Sequence, residues 1–285
     1  MKIEEITYQI EKHQIYSTEY IPQNPKAIMI MIHGFCSYSG VMKRYQEMVA
    51  NENILLCALD LPYHGRSSGE PKGWIDSFET YLKVCSQYID RIKSKYQMNE
   101  SENENKQQLP LFIYGHSMGG LIVSILARRR NDLSGVVGSA PANEITNVIV
   151  HILYYLFLLL LFLFPKLFVP NKYGENEFPT KDVKKMFEDD PLVNSDKTYL
   201  KTVLEMEKYG KNERETDIEC PFLLIQGTID ESVTMKGAET KAKHLKHAKS
   251  KFIIYKDRRH CLYEEYNLEE QLENLIRWIN DVINQ

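Results

Sequence analysis

A chain of 285 residues, 43% hydrophobic and 26% charged, has the size and balance of a soluble globular protein with a sizeable core. Its net charge of -4 gives no electrostatic case for nucleic-acid binding. The five cysteines (Cys36, Cys57, Cys85, Cys220 and Cys261) are odd in number, far apart and without metal-type spacing. That pattern predicts reduced thiols and not a disulfide framework. The opening residues, Met1-Lys2-Ile3-Glu4-Glu5, show no signal-peptide character, so a cytoplasmic location is the expectation.

Residues 3–20 alternate polar and apolar, which predicts two half-buried strands in an antiparallel hairpin at a sheet edge. The pattern then changes. Residues 27–32 and 54–59 are continuously apolar, as in strands of a parallel sheet covered on both faces by helices. Between them, residues 39–51 place Val41, Tyr45, Met48 and Val49 on one helical face. A second helix is predicted from about Ile75 to Tyr96, followed from Gln97 to Gln108 by a polar low-complexity segment with nothing to bury. The sequon Asn99-Glu100-Ser101 in that segment carries no weight without secretion.

The next stretch organises the chain. Leu111-Phe112-Ile113-Tyr114 reads as a buried strand, and residues 121–127 read as a buried helix. Between them stands Gly115-His116-Ser117-Met118-Gly119-Gly120. A Gly-x-Ser-x-Gly pattern at a strand-to-helix turn is the nucleophile-elbow signature, in which a strained turn pushes the serine oxygen out over the sheet edge. The competing reading is a glycine-rich turn that joins two elements and nothing more. The flanking strand and helix favour the elbow, with Ser117 as candidate nucleophile.

Three further short apolar strands are predicted at 136–138, 222–225 and 252–255, and a last helix at about 268–283 carries the stripe Leu268, Leu272, Leu275, Ile276 and Ile279. Alternating strands and helices predict a single α/β domain over 1–285, with a parallel sheet and right-handed crossovers. Residues from about 143 to 219 break this rhythm. They lack strand runs and read as a helical or irregular insertion over the sheet. Within it Val148–Phe164 is almost wholly apolar, interrupted by His151, yet slightly short for a membrane span. The flanking strands belong to one sheet, which also argues against spanning. The expectation is a lid helix that lines an apolar pocket or dips into one membrane leaflet. The alternative is a core helix of the insertion.

A serine hydroxyl needs an adjacent base and the base an orienting acid. After an elbow the expected order is acid, then histidine, each on a loop after a strand. His260 follows the strand at 252–255 and is the predicted base. His244 and His247 sit in a lysine-rich helical region that reads as a solvated face in preference to a metal pair. Lys241, Lys243, Lys246, Lys249 and Lys251 extend that face and offer an alternative contact with anionic membrane. Asp230 lies just past the strand at 222–225 and is the predicted acid. Glu231 is one residue off, Asp257 is too near His260 to reach the far ring nitrogen, and Asp60 violates the order. An oxyanion hole needs two backbone donors. The N–H of Met118 and that of Phe35, in His33-Gly34-Phe35 after the strand at 27–32, are the candidates. His33 itself reads as a structural hydrogen-bonding residue.

With these residues in view, the chain resembles the monoglyceride lipase and lysophospholipase-like branch of the α/β-hydrolases, also grouped with serine aminopeptidases. The resemblance rests on His33-Gly34-Phe35, Asp60-Leu61-Pro62-Tyr63-His64-Gly65-Arg66-Ser67-Ser68-Gly69, Gly115-His116-Ser117-Met118-Gly119-Gly120 and Gln226-Gly227-Thr228-Ile229-Asp230. Asp190-Pro191-Leu192-Val193 adds a weaker match. It implies an α/β-hydrolase fold: a mostly parallel eight-stranded sheet flanked by helices, with a helical cap after the sixth strand. It also implies Ser117, Asp230 and His260 as triad, the Phe35 and Met118 amides as oxyanion hole, and an apolar cap that touches membranes and admits an acyl chain. The expected reaction is hydrolysis of monoacylglycerol through an acyl-enzyme, without metal or organic cofactor. Lysophospholipid, peptide, acyl transfer and non-catalytic lipid binding are the alternatives. A bulky Phe35, where small residues are common, narrows the expected pocket near the scissile carbonyl.

Overall fold

The computed structural model of the protein describes residues 1–97, 108–144, 154–170, 177–194, 196–266 and 268–284. Most of the polar segment expected as a solvated loop, with its sequon, lies outside them, as do residues 148–153 of the apolar run.

Strands β1 (Lys2–Ile10) and β2 (His13–Ile21) form the expected antiparallel hairpin. The continuously apolar runs become β3 (Ala27–Ile32) and β4 (Ile54–Leu59), and every residue of both is buried. They are joined by β5 (Leu111–His116), β6 (Gly135–Ser139), β9 (Phe222–Gly227) and β10 (Lys251–Tyr255). The eight strands lie in the order β1-β2-β4-β3-β5-β6-β9-β10. From β4 to β10 all neighbours are parallel, while β2 meets β4 antiparallel. This agrees with the predicted sheet, and it brings the carboxyl ends of β3, β5, β6, β9 and β10 to one edge, where α/β sheets bind ligands.

Helix α1 (Lys43–Asn51) is entered through a 3-10 turn at Ser39–Met42 and buries Tyr45, Gln46, Val49 and Ala50. Helix α2 (Phe78–Gln97) covers β2 and changes its character. The hydroxyls of Ser17 and Tyr88 meet at 2.5 Å, and the fully buried Glu19 carboxylate accepts from Lys95 Nζ at 2.7 Å and from the hydroxyls of Tyr8 and Tyr96. So β2 is buried over most of its length and not half-buried as its alternation suggested. Helix α3 (Met118–Arg129) is buried from Met118 through Ala127.

Between β6 and β9 lie α4 (Tyr154–Leu163), α5 (Lys181–Asp189) and α6 (Leu200–Glu213). The absence of strands expected for this insertion is incorrect. Phe168–Pro170 (β7) pairs antiparallel with Lys197–Tyr199 (β8). Three residues per strand are too few to produce an alternation, so this ribbon has no sequence signature. The fold closes with α7 (Met235–Lys243), capped by the Thr234 hydroxyl on the Gly237 N–H, and α8 (Leu268–Ile283).

The lysine-rich face around α7 also needs correction. Lys241 is fully buried and donates to the Glu213 carboxylate and to the carbonyls of Glu213 and Thr216. Lys249 and Lys251 bond to Asp281 on α8. The helix ends at Lys243, and His244 Nδ1 meets Asp217 at 2.6 Å. Lys241 therefore does not belong to the solvated face, whereas Lys243, Lys246 and Lys251 are exposed as expected. All five cysteines are free.

Candidate active site

The elbow is strained at Ser117. Ser117 has φ 52° and ψ -114°, a conformation that L-residues reach with difficulty. Its N–H donates to the Ser139 carbonyl at 2.9 Å, and its own carbonyl accepts from Leu121 and Ala142. Two glycines make this turn possible by close approach. A Cβ on Gly115 would strike the Gly119 carbonyl, and one on Gly119 would strike the carbonyls of Ile32 and His33 at the end of β3. With α3 pressed this close to the sheet, the serine side chain is left at the sheet edge.

The loops after β9 and β10 supply the partners. His260 Nδ1 and Asp230 Oδ2 lie 2.8 Å apart, with both side chains almost fully buried. Asp230 Oδ1 accepts the N–H groups of Ser232 and Val233, which orients the carboxylate. Burial pushes the Asp230 carboxyl up. The His260 charge and hydrogen bond, with the two amides, outweigh that and hold it below its ordinary value. Burial pulls His260 down, but the Asp230 charge and hydrogen bond, with a contribution from Glu177, leave it raised. The two directions agree with a retained ion pair. Because Asp230 occupies Nδ1, the ring presents Nε2 as its free nitrogen.

Ser117 and His260 line one cavity of about 240 Å³. Phe35, Phe178, Phe187, Val203 and Met206 supply apolar walls, and Glu177 with Ser232 brings polar groups. None of residues 159–164 contributes to this lining. The predicted lid helix therefore does not line the cavity over that stretch, and of its side chains there Leu161 packs against the core. Leu159, Leu163 and Phe164 are about 60% exposed and Phe162 is 83% exposed.

The rejected candidates have other roles. Asp60 is fully buried and accepts from the Ser39 N–H and hydroxyl and from the Arg66 N–H, which shapes the loop at 60–69. Asp257 and Glu231 are exposed. His33 is structural, as expected. Its Nε2 accepts the Leu61 N–H, so Nδ1 carries the hydrogen and donates to the Gly34 carbonyl. Burial lowers its pKa to about 4, and the ring stays neutral. Among the described residues no cluster of three His, Cys, Asp or Glu side chains is placed to hold a metal ion.

Two neighbours of the site were not singled out from the sequence. The His116 ring lies 4.7 Å from His260 and 4.9 Å from Tyr263, and burial keeps it neutral. Gln226 Nε2 donates to Asp230 Oδ2 at 2.8 Å. The available signal for Gln226 was a polar residue ending an otherwise apolar strand.

A strand–elbow–helix at the centre of this sheet, with an acid and a histidine on later strand ends, defines an α/β-hydrolase. The chain belongs to the serine aminopeptidase S33 family, whose model matches residues 23–267. It is 27% identical over 263 residues to a monoglyceride lipase homolog of Monkeypox virus, covering 90% of both chains. It is 26% identical over 269 residues to human monoglyceride lipase, covering 92% of this chain and 83% of that protein. Among solved structures it is similar to a soluble variant of monoglyceride lipase from Saccharomyces cerevisiae in complex with a substrate analog. The TM-score there is 0.84 at 16% identity, covering 98% of this chain and 96% of that one.

Proposed function

We propose that the protein is a serine carboxylic ester hydrolase that cleaves monoacylglycerol to fatty acid and glycerol. The observation that carries this reading is the Asp230–His260 pair at 2.8 Å in one cavity with Ser117 on its strained elbow. Monoglyceride lipases among the relatives support the substrate class.

In the proposed mechanism His260 Nε2 takes the Ser117 proton as the serine oxygen attacks the ester carbonyl. The N–H groups of Phe35 and Met118 receive the developing oxyanion, a contribution of about 3 kcal/mol per donor. His260 then gives the proton to the departing glycerol oxygen, and water repeats the sequence on the acyl-enzyme. Asp230 holds the ring in the tautomer with Nδ1 protonated and stabilises the imidazolium. The apolar walls receive the first part of the acyl chain, each buried methylene contributing about 0.8 kcal/mol.

The exposed Leu159, Phe162, Leu163 and Phe164, with Phe168 and Lys166 beside them, support peripheral contact of the cap with a lipid surface. No helix among the described residues is long and apolar enough to cross a membrane. Free cysteines support a reducing compartment such as the cytoplasm.

The test is fatty-acid release from a monoacylglycerol and a lysophosphatidylcholine with the same acyl chain, for wild type and Ser117→Ala. Serine-dependent turnover that favours the glycerol ester is expected. Preference for the phospholipid makes the protein a lysophospholipase, and no release from either ester sinks both readings.

A further inference from the structure

Gln226 is the fifth residue of β9 (Phe-Leu-Leu-Ile-Gln-Gly) and has no exposed surface. Its amide nitrogen and His260 Nδ1 converge on the same oxygen, Asp230 Oδ2, each at 2.8 Å. The other carboxylate oxygen is held by the Ser232 and Val233 N–H groups at 2.8 and 3.0 Å. An ionised carboxylate only accepts hydrogen bonds, so the amide must present its NH₂ group there. Its own oxygen, Oε1, is buried without a hydrogen-bond partner among the described residues. An unpaired buried carbonyl is unfavourable, and a methionine of similar shape would avoid it. Packing therefore does not account for an amide at this position. The contact with Asp230 does.

We infer that Gln226 is a positioning residue that orients the Asp230 carboxylate and limits its basicity, and through it sets the proton affinity of His260. The inference rests on the triad reading given above. During attack the Ser117 proton passes to His260 Nε2 and then to the leaving oxygen, while the Nδ1 proton stays on the ring. A second donor on Oδ2 weakens that oxygen as a base, so it binds the imidazolium without taking its proton. The other groups facing His260 are the Glu177 carboxylate, the neutral His116 ring and the Cys261 thiol, which burial keeps protonated.

Removing the amide donor concentrates charge on Oδ2 and stabilises the imidazolium, so His260 must hold its proton to higher pH. In Gln226→Met the NMR titration of the His260 ring should move up by about half a pH unit, and the acidic limb of kcat/KM should move with it. kcat should fall about tenfold because the Asp230 carboxylate and the ring it holds lose their orientation, with KM unchanged because Gln226 does not line the cavity. Gln226→Glu separates this role from packing. Its carboxylic acid donates to Asp230 when protonated and repels it when ionised, so its activity relative to wild type at the same pH should be highest at the acidic end and fall as that group ionises.

A His260 titration and acidic limb unchanged in a folded Gln226→Met protein would overturn the inference. So would a Gln226→Glu profile parallel to wild type at every pH, a comparison that stands even where the methionine variant does not fold. The ring titration does not depend on which ester is cleaved. Turnover that survives Ser117→Ala would sink the triad reading and leave the titration legible.

Discussion

At the residue scale the site depends on a few short contacts whose loss has separable consequences. Asp230→Asn keeps the shape of the side chain but removes the charge that the His260 ring faces. kcat should fall about 10⁴-fold with labelling of Ser117 by a fluorophosphonate slowed in parallel, a loss of the kind seen when a triad acid is neutralised. In the proposed mechanism His260 acts as a neutral base, and its pKa is raised from its ordinary 6.5 because the Asp230 charge and hydrogen bond outweigh burial. The acidic limb of kcat/KM should therefore lie above pH 6.5, and a limb at lower pH in the wild type contradicts the geometry. The same pair contributes to stability. A raised histidine contributes fully below its unfolded value of 6.5 and loses that contribution as pH rises through the folded value. A depressed carboxyl contributes fully above 3.8 and loses its contribution as pH falls through the folded value. Both are present between about pH 4 and 6.5, so Asp230→Asn should destabilise more in urea at pH 5 than at pH 9.

Whole elements depend on other contacts. The elbow admits no Cβ at Gly119, because the carbonyls of Ile32, which ends β3, and of His33 just after it already occupy that space. Gly119→Ala should push α3 off the sheet, with lost soluble expression or a large fall in Tm as the readout. At the far end of the insertion, Lys241 ties α7 to the end of α6 through the buried Glu213, which Arg128 also bonds. Lys241→Ala leaves a buried carboxylate with one cationic partner, and a destabilisation of about 3–5 kcal/mol is expected from urea unfolding. Helix α4 behaves differently, since its exposed apolar side chains have little to lose on the protein. Phe162→Glu with Leu163→Glu should leave Tm and turnover of a water-soluble short-chain ester unchanged, while cosedimentation with phospholipid vesicles falls severalfold.

Across the whole molecule the insertion is fastened to the sheet by bonds concentrated on the loop at 72–74 and by others outside it. Asn194 Nδ2 donates to the carbonyls of Lys72 and Lys197, Thr202 Oγ1 donates to the Gly73 carbonyl, and Trp74 Nε1 donates to the Pro165 carbonyl. Glu205 accepts the Phe78 N–H at the start of α2, and Tyr38 donates to Asp190. All but the Asn194–Lys197 bond join residues far apart in the chain. Asn194→Ala combined with Thr202→Val should cost about 1–3 kcal/mol, and limited proteolysis should cut within 143–219 before the sheet is attacked.

The parallel sheet and the elbow were legible in the sequence because their signals are local. A strand covered on both faces needs every residue apolar, and a strained turn needs glycines at fixed offsets, so β3, β4, β5 and Ser117 declare themselves without reference to the rest of the chain. The contact between His260 and Asp230 was legible one step further, since chain order and strand ends narrow each partner to a single best residue. Other features depended on partners distant in sequence. Burial of β2 follows from α2 lying across it, and the loss of Lys241 from the basic face follows from Glu213 at the end of another helix. The β7–β8 ribbon consists of segments too short to carry a period. The apolar run predicted to line a pocket or dip into a membrane leaflet presents Leu159, Phe162, Leu163 and Phe164 outward, with Leu161 against the core, because an all-apolar helix has no polar face to say which side is inside. Gln226 showed in the sequence as one amide at the end of an apolar strand. Only the tertiary structure brought it to Asp230, because a side chain's partner is decided by the packing of separate strands and loops, while a strand's own solvent exposure is written along its residues.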